Sequence, residues 1–200
     1  YIDAITSETA FELSAPTTGG SLSGQTLTFY SRTSDTVAIG TDALTSLTNV
    51  TNGTIAIGSG ALNSTTTNAG NVAIGYGACK ENVGGGQNIS IGYGAMDGNY
   101  TMTSNLAGAN KNTAIGYGAL SAVTSSDGIV AIGYNALTTN ASGLRNLAIG
   151  YEALDTLTVG NDNLAIGYAA GGAFTTGGLI SNIIIGSYAL STEDSTEQDN

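Results

Sequence analysis

Fifteen carboxylates, ten tyrosines, one cysteine and no histidine make up the reactive side chains of this 200-residue chain. Without histidine there is no His-based triad or proton relay, and a single Cys79 excludes an intrachain disulfide and the Cys-rich zinc frameworks. No cofactor or metal site is therefore expected. Cys79 sits where other repeats carry Leu44, Leu62 or Leu120 and has no histidine to activate it, so it reads as a small buried hydrophobe rather than a nucleophile. The Gly-Tyr-Gly-Ala segments imitate the start of a dinucleotide fingerprint, but the full glycine pattern is nowhere complete and no room remains for the helix that must follow. Paired carboxylates would suit glycoside hydrolysis. Here Asp42, Glu81, Asp97, Asp127, Glu152, Asp155 and Asp162 are scattered, and only Glu152 and Asp155 lie near each other. No enzyme is expected.

Tyrosine does recur regularly. Tyr76, Tyr93, Tyr117, Tyr134, Tyr151 and Tyr168 each follow a glycine in consecutive units and should form one column. Such a column can be a stabilising ladder, or a seam between subunits. With Tyr100 from a longer loop, it can also be a track for glycan rings, which makes these seven tyrosines the candidate partner surface. Sequons at Asn49, Asn52, Asn63, Asn99 and Asn140 fall in expected outer loops as candidate N-glycosylation sites, whereas the sequon at Asn88 begins a strand.

The elements that position these residues come from an internal repeat. A nine-residue unit occurs nine times, from Thr36-Val-Ala-Ile-Gly through Asn112-Thr-Ala-Ile-Gly-Tyr-Gly-Ala-Leu120 to Asn182-Ile-Ile-Ile-Gly. Its central glycine falls at Gly40, Gly58, Gly75, Gly92, Gly116, Gly133, Gly150, Gly167 and Gly186, spaced mostly by 17 residues with one insertion of seven after Met96. Seventeen residues cannot hold the helix pair of the common helical repeats but suit one coil of a β-solenoid. The expected fold is therefore all-β: a parallel β-solenoid of about nine 17-residue coils with a short non-repeat N-terminal β segment.

Within a unit, Val37 and Ile39 flank Ala38, and the counterparts do likewise, the alternation of a strand with one buried face. The large residues are taken as inward, stacking into isoleucine ladders. Ala38, Ala56, Ala73, Ala114, Ala131, Ala148 and Ala165 then point outward as a flat strip suited to another subunit, the candidate oligomer face. The Ala-Leu pair that follows begins a second short strand. Asn71, Asn88, Asn112, Asn146, Asn163 and Asn182 form a column whose amides bond neighbouring coils at a corner.

The unit Asn-x-Ala-Ile-Gly-x-x-Ala resembles the YadA-like head repeats of trimeric autotransporter adhesins, close to Asn-Ser-Val-Ala-Ile-Gly-x-x-Ser. The string from Asn112 to Leu120 is also similar to repeats of phage tail-fibre proteins. The likeness runs from Thr36 to Leu190 and implies a left-handed parallel β-roll, three copies of which associate side by side in a non-enzymatic attachment structure. The coil is longer than in the head family, and tyrosine follows its glycine.

Three regions are expected: residues 1–35 as a capping or assembly segment, 36–190 as the solenoid, and 191–200 as an acidic tail. The chain opens at Tyr1 rather than Met, which reads as a processed or excised segment. Four Lys and Arg against fifteen Asp and Glu give a net charge of −11, which disfavours nucleic acid and anionic membranes, and no apolar run is long enough for membrane insertion. The expected function is that of an extracellular structural or attachment protein on a cell or virion surface. Its first partner is itself, as a trimer or an end-to-end filament, and surface glycans are the second. The alternative is a carbohydrate-binding module using the tyrosine column and outer loops.

Overall fold

The computed structural model describes residues 4–7, 10–12, 36–46, 53–65, 70–98, 109–173 and 179–191. Among these there is no helix. Two short strands, β1 (Ala4–Ser7) and β2 (Ala10–Glu12), pair antiparallel near the N-terminus. The rest of the expected capping segment, the acidic tail beyond Ser191 and the insertion at 99–108 lie outside the described residues.

The solenoid is built on one three-residue strand per repeat. These are β3 (Val37–Ile39), β4 (Ile55–Ile57), β5 (Val72–Ile74), β6 (Ile89–Ile91), β7 (Thr113–Ile115), β8 (Val130–Ile132), β9 (Leu147–Ile149), β11 (Leu164–Ile166) and β13 (Ile183–Ile185). They form a single nine-stranded parallel sheet in chain order, with Ala73 opposite Ser90 and Ala131 opposite Ala148. At about 4.8 Å per strand the stack is about 40 Å long. A smaller parallel pair, β10 (Gly160–Asn161) with β12 (Leu179–Ile180), lies elsewhere on the coil, and single bridges Asn110–Asp127 and Leu144–Asn161 continue its row. The β-solenoid read from the repeat is thus the fold.

The two faces of the strands are reversed from expectation. The central alanines, from Ala56 to Ala165, are buried in the coil's interior, while the flanking Val, Ile and Leu residues are half-buried or exposed. Strict alternation defines two faces but not which one turns inward. The lumen of a coil this short also receives Ala61 and Leu62, Ala119 and Leu120, and their counterparts, so only a small side chain fits on the strand that faces them. Ala38, Ala56, Ala73, Ala114, Ala131, Ala148 and Ala165 are therefore core, and they form no oligomer face.

The Ala-Leu pair does not start a second strand; it completes a turn. Leu44, Leu62, Cys79, Met96, Leu120, Leu137 and Leu154 all hold φ between 50° and 56°. Left-handed backbone costs a non-glycine residue about 1–2 kcal/mol. The conformation aims each side chain into the core and each N–H at the next coil, as Leu120 N–H donates to the Ala136 carbonyl at 2.9 Å and Leu137 N–H to Ala153 at 2.9 Å.

The glycine column marks the corner where coils come closest. Gly133 has φ of 139°, and a Cβ built there would collide with the carbonyl of Gly150 in the next coil. Gly150 N–H meanwhile donates to the Ile132 carbonyl at 2.8 Å, carrying the strand ladder around the bend.

The asparagines do bond neighbouring coils, and Asn71, Asn88, Asn112 and Asn146 each also close their own. Asn112 Nδ2 donates to the Ser126 carbonyl at 2.7 Å, fourteen residues on, while its Oδ1 accepts the Ile129 N–H of the next coil at 2.9 Å. Asn71 repeats both contacts, with Gly85 and Asn88. Buried amides must find partners, so an asparagine at this corner specifies both coil closure and stacking.

Candidate functional site

Two surfaces of this stack can engage a partner. The first is the outward face of the nine-stranded sheet. Its two rows run from Val37 and Ile39 to Ile183 and Ile185, and every outward position is apolar except Thr113. Ile74, Ile89, Ile183 and Ile185 are among its exposed members. Soluble surfaces rarely carry so continuous an apolar patch unless something covers it. Sequence reasoning assigned this role to the alanines. The available signal was Thr113, a polar residue in an otherwise Val, Ile and Leu row.

The second surface is the tyrosine column, which the structure assembles as expected. Tyr76, Tyr93, Tyr117, Tyr134, Tyr151 and Tyr168 stack with centroids 4.8–5.2 Å apart and planes within 13° of parallel. In the last coil Ser187 takes the tyrosine slot, and Tyr188, one residue on, closes the stack with its ring tilted by 60°. Because each ring lies on the next, the faces between Tyr76 and Tyr168 are spent within the stack. Edges and hydroxyls are what it shows to solvent. Burial against its neighbours, with the Glu152 carboxylate beside it, raises the Tyr151 phenol above the usual value. Tyr100, the remaining member of the candidate partner surface, lies outside the described residues.

Beside the stack runs a second column, two residues past each corner glycine. It holds Asp42 in the first coil, Gly60, Gly77, Gly94 and Gly118 in the next four, then Asn135, Glu152, Ala169 and Tyr188. A Cβ built on Gly60 would meet nothing within 4 Å, those on Gly77 and Gly94 would meet Asp97 at 3.7 and 4.0 Å, and one on Gly118 would collide with Asn135 Oδ1. The three tyrosines beside Gly77, Gly94 and Gly118 are 51–55% exposed, against 42–43% for those beside the larger residues. The glycines thus leave the flanks of Tyr76, Tyr93 and Tyr117 more open to solvent than those of the later tyrosines.

Asp97 lies beside this column, against Gly77 and Gly94. In the same slot of other coils Asn63 donates Nδ2 to the Asp42 carbonyl at 3.1 Å, and Thr138 donates Oγ1 to the Gly118 carbonyl at 3.0 Å. A carboxylate cannot donate, and Asp97 Oδ1, itself buried, has no hydrogen-bond partner among the described residues. Burial raises Asp97 from the ordinary 3.8 to about 6, with Lys80 opposing and Glu81 adding to the shift.

The remaining candidates separate clearly. Cys79 is buried, and that burial pushes its thiol up to about 12, so it is no nucleophile at neutral pH. Asp155 is raised by burial and then by Glu152. Asn140 is not an outer-loop sequon: it is fully buried, and its Oδ1 accepts from Gly143 N–H at 3.1 Å and Ser126 Oγ at 3.0 Å, so no glycan can be attached there without opening the coil. Asn63 is half-buried, with its amide nitrogen committed to Asp42 and Thr45. Asn49, Asn52 and Asn99 lie outside the described residues. Among those described, no helix is long and apolar enough to cross a membrane.

The chain is therefore a repeat protein of the parallel β-solenoid class. Compared with protein-family models, curated proteins and solved structures, it finds no match.

Proposed function

We propose that this protein is a non-enzymatic structural or attachment protein, a β-solenoid subunit of an extracellular fibre, filament or adhesin head, in which copies associate side by side through the outward Val and Ile rows. The observation that carries this reading is the apolar sheet face, continuous over nine strands. A second copy of this chain is the occupant whose shape fits best, because it presents the same rows at the same interstrand spacing. The resemblance to adhesin-head and tail-fibre repeats supports the same assignment.

Native mass spectrometry and electron microscopy of the full chain test it. The wild type should appear as discrete oligomers or fibres at micromolar concentration, and Ile115→Lys with Ile149→Lys should yield folded monomers. A wild type that stays monomeric overturns the reading. If those monomers also bound on a glycan array, the carbohydrate-binding alternative would take its place.

A further inference from the structure

We infer, resting on the side-by-side reading above, that the copies pair antiparallel about a two-fold axis lying along β7, with Thr113 of one copy hydrogen-bonded to Thr113 of the second. Of the outward positions, two on each of the nine strands, Thr113 alone is polar, and β7 is the fifth strand of the sheet. Thr113 is half-buried, and its hydroxyl has no hydrogen-bond partner among the described residues. Covering the face with apolar side chains strips water from that hydroxyl, and a buried hydroxyl left unpaired is costly. A single polar position in an apolar interface therefore selects the arrangement in which it meets its own kind.

Symmetry then decides the orientation. A two-fold axis along the solenoid reverses strand direction across the interface, so the row of Thr113 lies on the row of Ile115 and the hydroxyl meets isoleucine. A two-fold axis along the strands keeps each row on itself and reverses the order of the coils. β3 then faces β13, β4 faces β11, β5 faces β9 and β6 faces β8, and only the middle strand faces its own copy. All nine strands are covered at once when that axis passes through β7, and there Thr113 meets Thr113. Sliding one copy by a single coil sets Thr113 against Ile89 or Val130 and uncovers a strand of each copy. Had the polar residue stood in any other strand, the same axis would bury two hydroxyls against apolar side chains.

Native mass spectrometry of the full chain, with pulsed dipolar distances between nitroxides, tests this. A label at Thr41→Cys sits on an exposed residue of the first coil, and buried Cys79 stays unlabelled. The wild-type background should give dimers whose two labels lie one stack length apart, about 40 Å at 4.8 Å per strand, in a single narrow distribution. Mixing in chains labelled at Ser187→Cys, exposed in the last coil, should add a short distance. Thr113→Val, a residue the same row already accepts at Val37, Val72 and Val130, should keep the dimer but spread the long distance into steps of about 4.8 Å per coil. Trimers, or dimers whose Thr41 labels lie level and close, overturn the proposal and leave the side-by-side reading standing. So does an unchanged narrow distribution in Thr113→Val. A monomeric wild type overturns both.

Discussion

A leucine at positive φ is a costly choice, and here it is made in coil after coil. Each such residue from Leu44 to Leu154 gains a buried side chain and an inter-coil hydrogen bond from the same backbone turn. Burying a leucine contributes about 1.5–3 kcal/mol, which together with that hydrogen bond outweighs the cost of about 1–2 kcal/mol for left-handed backbone. Asp97 is the opposite case, a carboxylate in a slot where Asn63 and Thr138 donate. Its folded-state pKa of about 6 lies above the ordinary 3.8. Between those values the folded protein holds the extra proton, so stability from this group is fully present below about pH 4 and is lost as pH rises through about 6. Asp97→Asn should therefore raise the melting temperature at pH 7.5 and change it little at pH 4; equal gains at both pH values would contradict the assignment. Cys79 should resist a thiol reagent in native buffer and react fully in denaturant, and fast native labelling would show the coil to be open there.

At the scale of the strand, the reversal of faces has direct energetic consequences. Ala131 is fully buried and Ile132 is half-buried on the outward side. Ala131→Leu should then destabilise by about 1–3 kcal/mol through overpacking. Ile132→Thr should change monomer stability by less than about 1 kcal/mol and act mainly on association. Denaturant unfolding in the monomeric Lys-substituted background separates the two; the opposite ranking would restore the isoleucines to the core. The strands, the glycine corners and the asparagine contacts could all be read from the repeat, because each is a local requirement of a residue type. The inward face could not. Val-Ala-Ile has the same alternation whichever side is buried, and the answer depends on lumen width, set by Leu120 and its counterparts across the coil. Asp97 was likewise unremarkable in the sequence, since its neighbours in space, Gly77 and Glu81, belong to the preceding coil.

The whole molecule is a stack in which each coil meets only its neighbours, and stability should be nearly additive over coils. Removing one complete period, residues 129–145, joins Gly128 to Asn146 and leaves every column in register. Asn112 Oδ1 then meets the N–H of Asn146, as Asn71 Oδ1 meets Asn88 in the intact chain. The shortened protein should fold with a modest loss of stability. Removing half a period should abolish folding, because every later side chain would turn to the wrong face. Circular dichroism of the two deletions decides between additive stacking and a core that needs all of its coils.

The tyrosine stack also gives the protein an optical property. With no tryptophan to dominate absorption or emission, six nearly parallel phenols about 5 Å apart are close enough for their excited states to couple. Near-ultraviolet circular dichroism should therefore show an exciton signal that reports coil stacking directly. Its amplitude would follow the number of coils in register, so unzipping from one end could be followed without any added label.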